Sequence, residues 1–180
     1  MLVLAFTAVA ASAQHEQAKQ PEMTAEDKAM MEAWQKSMVP GAPHKTLDNM
    51  VGTWDTKLKM WMKPGAPPME SKGMTENRWV LGGRWVEQRF KGEFMDMPFE
   101  GLGYTGFDNV QKQYVGTWMD NMSTGPMTST CSSLDDKTLS FRSTMWDPMT
   151  GRPTPIEEKI TVVDKDHHIM EMWNPGPDGK

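Results

Sequence analysis

The sequence predicts an all-β protein, an antiparallel up-and-down barrel of about ten strands behind a helical N-terminal segment. Three observations carry this expectation. From Trp54 onward the apolar residues recur with a period of two, as half-buried strands require. Nine such segments follow one another, each closed by turn residues, with no helical stretch between them. A meander of that length closes on itself, because closure removes unpaired strand edges.

Residues 1–13, MLVLAFTAVAASA, read as an export signal: Leu2 to Ala10 form an apolar core, and Ala11-Ser12-Ala13 is a small-x-small cleavage site. The run is too short to span a bilayer. Its start carries no Lys or Arg, and its removal leaves the net charge of −5 unchanged. The expected location is therefore the periplasm or outside the cell. Residues 14–23 are polar and read as a linker, and residues 24–50 as a helical segment able to cover one barrel end. In that segment Thr24-Ala25-Glu26-Asp27 has the pattern of an N-cap with an acid three residues on. Ala29, Met30, Ala33, Trp34 and Met38 then keep helical spacing, Pro40-Gly41-Ala42-Pro43 stops it, and a short helix from His44 to Met50 delivers the chain to Gly52-Thr53-Trp54.

Residues 51–180 form the barrel domain. In the first strand Trp54, Thr56, Leu58, Met60 and Met62 share one face, opposite Asp55, Lys57 and Lys59. The following strands are expected at 69–80, 84–94, 99–108, 113–121, 127–134, 138–146, 154–163 and 167–174. Pro175-Gly176-Pro177-Asp178-Gly179 then makes a turn with only Lys180 after it, so a tenth strand is expected beyond this sequence. Tryptophans precede Pro turns in Met60-Trp61-Met62-Lys63-Pro64-Gly65, Trp146-Asp147-Pro148 and Met172-Trp173-Asn174-Pro175-Gly176, which reads as indoles covering a barrel mouth.

Several strings resemble a bacterial exported family known as domain of unknown function 1579. They are the run from Gly41 to Trp54, Met62-Lys63-Pro64-Gly65, Arg78-Trp79-Val80-Leu81-Gly82-Gly83-Arg84 and Phe94-Met95-Asp96-Met97-Pro98-Phe99-Glu100-Gly101. Gly106-Phe107-Asp108-Asn109, Asp147-Pro148-Met149-Thr150-Gly151 and the closing turn extend the match over roughly residues 40–180. The resemblance implies a fold and a further strand after the last turn, but no mechanism. Gly52-Thr53-Trp54 is also similar to the Gly-x-Trp that opens lipocalin barrels, where the Trp packs across the closed end. This lipocalin-like likeness implies, by analogy of fold alone, carriage of small apolar molecules.

The acidic balance argues against nucleic acid or an anionic membrane as partner. The lone cysteine, Cys131, forms no disulfide within the chain and reads as a small strand hydrophobe. Gly101-Leu102-Gly103-Tyr104-Thr105-Gly106 matches a dinucleotide fingerprint, yet a turn follows where that fingerprint needs a helix. Its glycines instead let a strand coil or an aromatic ring cross the backbone. No nucleophile–base set stands out, and His167 and His168 face opposite sides of one strand. The 19 methionines include Met60-x-Met62, Met95-x-Met97 and Met170-x-Met172, whose paired thioethers would suit Cu(I) if extended, though adaptable core or pocket filling explains them better.

The expected function is binding of a small, largely apolar ligand inside the barrel. Polar residues on otherwise apolar faces mark the wall: Gln88 between Val86 and Phe90, Thr117 between Val115 and Met119, and Tyr104 beside Leu102. The lining set is Trp54, Met60, Gln88, Phe90, Tyr104, Met119 and Phe141, with no catalytic residue, cofactor or metal ligand assigned. Glu87 and Arg89 are expected to form a solvated pair with Lys91 on the opposite face. The other readings are a packed barrel serving protein contacts without a ligand, and a copper or haem binder.

Overall fold

The computed structural model describes residues 22–174 apart from position 136. The export segment, most of the linker and the turn at 175–179 with any strand after it lie outside the described residues. The chain divides into two compact units after Lys36. The first holds α1 (Ala25–Met38) except for its last two residues, and the helix starts as its sequence requires. The Asp27 amide donates to Thr24 Oγ1 at 3.1 Å and the Thr24 amide donates to Asp27 Oδ2 at 2.9 Å, a reciprocal cap for two orphan donors. The helix buries none of its residues, and Trp34 is 61% exposed.

The second unit is all-β. Nine strands run β1 (Gly52–Met60), β2 (Met69–Val80), β3 (Trp85–Phe94), β4 (Met97–Asp108), β5 (Gln113–Asp120), β6 (Met127–Asp135), β7 (Thr138–Trp146), β8 (Pro153–Asp164) and β9 (His167–Trp173). Each pairs antiparallel with the next, in sequence order, so the sheet is an up-and-down meander curled into a barrel-like form. The two end strands approach without pairing: the Trp54 ring of β1 stacks on the His168 ring of β9, with centroids 4.3 Å apart.

Alternation on β1 defines the inner face, where Trp54, Thr56, Leu58 and Met60 are shielded while Asp55, Lys57 and Lys59 are exposed. Cross-strand partners share a face, so the register carries the inner side around the sheet. One row runs Asn77, Gln88, Gly103, Trp118, Met127. A second runs Phe107, Tyr114, Cys131, Phe141, Glu158, Met172.

One end is closed by α2 (Ala42–Thr46) and the 3₁₀ turn Leu47–Met50, so this short segment, in the same unit as the sheet, supplies the plug. Leu47 and Met50 pack against Val86, Tyr114, Cys131, Leu139 and Phe141. Polar anchors fix it. Trp54 Nε1 and Asn77 Nδ2 both donate to the Met50 carbonyl, at 3.0 and 2.7 Å. Tyr114 Oη donates to the Pro43 carbonyl and Trp79 Nε1 to Asp48 Oδ1, at 2.9 and 2.8 Å. The Gly-x-Trp tryptophan thus ties the first strand to the closed end.

The dinucleotide-like glycines serve aromatic rings. Trp118 of β5 lies flat across Gly101 and Gly103 on the inner face, leaving no room for a side chain at Gly101. Gly106 makes the same room for Trp85 on the outer face. On β2 and β3 the ring of Phe90 covers the facing pair Gly73 and Gly92.

Two sequence expectations change. The thioether pairs do not hold as a set: β1 ends at Met60, leaving Met62 in the turn, and Met95 with Asp96 forms the β3–β4 turn at φ 52° and 61°. These are the left-handed values that a two-residue hairpin needs. Trp146 and Trp173 stand at outer register positions and are exposed, so they cover no barrel mouth.

Candidate functional site

Two side-chain groups combine chemistry with a defined setting, one on each side of the sheet. On the outer face Glu87 is only 5% exposed, covered by side chains rather than by depth of protein. Its register partners are Arg78 and Tyr104. Arg89 Nε donates to Glu87 Oε1 at 2.8 Å, Arg78 Nε to the same oxygen at 3.0 Å, and Tyr104 Oη to Oε2 at 2.9 Å. The Arg89 and Tyr104 hydrogen bonds hold this carboxyl down at about 2. All three side chains converge on Glu87 from three adjacent strands, so the cluster reads as a staple across β2, β3 and β4. The expected solvated pair with Lys91 is replaced by this network, and Lys91 instead meets Glu100 at 3.4 Å.

The sign of the resulting pH dependence follows from the directions. A depressed carboxyl adds stability above its ordinary value of 4.5, and that stability drains away as pH falls toward 2. Burial also depresses His44 and His168 below 6.5, so acidification through that range favours the unfolded chain as well. Urea midpoints measured against pH are expected to fall in two stages. Glu87→Gln should reduce the lower stage, which the depressed Asp108, Asp147 and Asp164 share, and leave the upper one; an unchanged profile between pH 4.5 and 2 would refute the staple.

The inner face is the better candidate for a binding site. Its apolar wall is a chain of rings: Phe90 and Phe99 with centroids 5.5 Å apart, Phe94 and Phe99 at 5.6 Å, Phe99 and Trp118 at 6.5 Å. Polar groups interrupt it. Thr56 and Thr75 share a 2.9 Å hydroxyl hydrogen bond, Trp118 Nε1 donates to Asp120 Oδ2 at 2.9 Å, and Ser143 Oγ donates to Glu158 Oε1 at 2.7 Å. Burial pushes the Glu158 carboxyl above its ordinary value, partly offset by the Ser143 hydroxyl.

Asn77 is the group that matters most here. It is 7% exposed, and its amide orientation is fixed because the Met50 carbonyl accepts only from a nitrogen. Oδ1 is left without a donor among the described residues. Its cross-strand neighbour is Gln88, whose amide oxygen lies toward Gly103. The Nε2 of His168 is likewise buried without a partner among the described residues. Gln88 and Trp118, both inner-facing and flanked by strands on both sides, stay partly accessible, as does Thr56 on the end strand β1.

The model of a family described as a protein of unknown function, DUF1579, matches residues 39–180. The chain belongs to the DUF1579 family. No curated protein matches it. The matched span covers the plug and all nine strands of this DUF1579 protein.

Within the DUF1579 barrel the seven residues expected to line a site separate by face. Trp54, Met60, Gln88 and Phe90 stand at inner positions. Phe141 is inner too, but lies in the core beneath the plug, with Glu158 as its strand neighbour. Tyr104 and Met119 stand on the outer face, correcting their expected place in the wall. Thr117, opposite Tyr104, goes with them. The reason is steric: on β4 and β5 the inner positions belong to Gly101, Gly103 and Trp118, so the apolar alternate face is the outer one. Asn77, Trp118 and Glu158 were missed by sequence reasoning. Asn77 had a signal, since it alternates with Trp79 and is flanked by exposed Glu76 and Arg78. Glu158 had none, because Glu157 and Lys159 surround it with similar chemistry. Among the described residues no cluster of three or more His, Cys, Asp or Glu is placed to hold a metal ion.

Proposed function

We propose that this DUF1579 protein is an exported binding protein that holds a small, largely apolar molecule against the inner wall of its barrel. The observation that carries the reading is the Asn77 amide oxygen, buried on the concave face without a donor and paired across the strand with Gln88. An orphaned buried acceptor costs stability, and the polar end of a ligand supplies the missing donor. The rings of Phe90, Phe99 and Trp118 supply the apolar contact. Export rests on the apolar run ending at Ala11-Ser12-Ala13, and no helix among the described residues is long and apolar enough to cross a membrane.

The test is titration with the neutral apolar fluorophore N-phenyl-1-naphthylamine. Saturable binding is expected, weakened about tenfold by Gln88→Ala or Phe90→Ala, each a loss of one close contact. Met119→Ala, on the outer face, should bind as the parent does. Equal affinity in all three variants would place the fluorophore elsewhere. The exposed indoles Trp61, Trp146 and Trp173 favour a second reading, a protein-contact surface. That reading predicts no saturable uptake of the fluorophore, and a self-association or partner that Trp61→Ala or Trp173→Ala abolishes.

A further inference from the structure

The two faces of the sheet divide charge unevenly. Every lysine and arginine on the nine strands stands at an outer register position, from Lys57 and Lys59 on β1 to Lys159 on β8. Asp120 and Glu158 stand at inner positions. Burial keeps the inner imidazole of His168 toward its neutral form. The inner wall therefore presents carboxylates and, among the described residues, no cation.

The two acids differ in what they have left to offer. Asp120 is occupied on both oxygens, by Trp118 Nε1 and by the Met122 amide, each at 2.9 Å. Glu158 accepts the Ser143 hydroxyl on Oε1, and among the described residues no other side-chain hydrogen bond or ion pair reaches its carboxylate. Its strand neighbours on that face are Phe141 and Met172. A carboxylate among apolar side chains with one hydroxyl for company is costly, and a positive charge beside it repays most in such a setting.

A second feature of the wall points the same way. Asn77 Oδ1, more than nine-tenths buried, is an acceptor that lacks a donor. The unmet demand of the wall is for donors. An anion such as a fatty-acid carboxylate brings more acceptors and meets two carboxylates with no counter-charge. An ammonium group brings several donors and a charge, and ring faces such as those of Phe99 and Trp118 tolerate it well.

Resting on the carrier reading above, we propose that the ligand is a cationic amphiphile, an amine on an apolar body, whose ammonium group is received by Glu158.

The experiment displaces N-phenyl-1-naphthylamine at neutral pH with three probes of one chain length: dodecylamine, dodecanol and dodecanoate, all below micellar concentration. Dodecylamine is expected to displace it at about tenfold lower concentration than dodecanoate, a difference of about 1.4 kcal/mol, with dodecanol between them. Glu158→Gln, which keeps an acceptor for Ser143, should erase the advantage of the amine and leave dodecanol unchanged. Glu157→Gln removes the same charge from the outer face, where Glu157 opposes Arg142, and should leave the advantage intact. The proposal is overturned if dodecanoate competes as well as dodecylamine. It is overturned equally if the two variants behave alike, since the preference is then ordinary attraction to an acidic surface. Binding of the fluorophore with displacement by none of the probes refutes the amine and spares the carrier. Failure of the fluorophore itself to bind refutes both.

Discussion

Gly101→Ala is expected to destabilise the protein by about 3 kcal/mol, a large loss for a single methyl group. A Cβ at this position falls on the six-membered ring of Trp118. The ring has nowhere to retreat, because its Nε1 is held by Asp120 and Phe99 stands beside it. Either the indole leaves its hydrogen bond or β4 and β5 part. The comparison is Gly125→Ala, where a Cβ meets nothing within 4 Å and the change should stay within about 0.5 kcal/mol. Urea unfolding followed by circular dichroism reads both. A double variant decides the cause: with Trp118→Leu in place, Gly101→Ala should cost about 2 kcal/mol less than it does alone. Additive losses would mean that the glycine is needed for backbone coiling and not for the ring.

The same glycine–tryptophan fit explains where the sequence is legible and where it misleads. Strand positions follow from turn chemistry and period-two patterning, both local, and all nine strands lie within a residue or two of expectation. The plug was legible for a similar reason, since Pro40-Gly41-Ala42-Pro43 breaks the helix and Gly52-Thr53-Trp54 starts the sheet. Which face of a strand turns inward is not local. Alternation assigns the larger apolar residues to the interior, and on β1 and β3 this places Trp54, Met60, Gln88 and Phe90 correctly. On β4 the interior residue is glycine, because the bulk comes from its neighbour, so Leu102 and Tyr104 imitate an inner face while standing outside.

Polar placement was harder still, because it depends on partners distant in sequence. Glu87 looked like a surface acid beside Arg89. It is held by Arg78 from one neighbouring strand and Tyr104 from the other. Asn77 derives its meaning from Met50, which the 3₁₀ turn brings beneath it. In both cases the residue type was visible and its hydrogen-bond partner was not. The candidate site is therefore legible as composition, aromatic and thioether-rich with scattered amides, and only the register turns that composition into a wall.

Leu47→Ala tests whether the plug carries the stability that its position implies. Leu47 is 0% exposed and sits where side chains from β3, β5, β6 and β7 converge. Truncation leaves a cavity that rigid strands cannot close, so the expected cost is about 4 kcal/mol. The hydrogen bonds from Trp54, Asn77, Tyr114 and Trp79 prevent the segment from settling inward to fill it. Met31→Ala in α1, an apolar side chain of similar size but 47% exposed, should change stability by no more than about 0.5 kcal/mol. The contrast separates a plug from a helix that merely precedes it. Comparable losses at both positions would mean that α1 shares the work of closing the barrel. A loss at Leu47 alone, accompanied by weaker binding of N-phenyl-1-naphthylamine, would tie the closed end to the site: Met50 orients Asn77, so a loosened plug releases the amide oxygen that the ligand is proposed to meet.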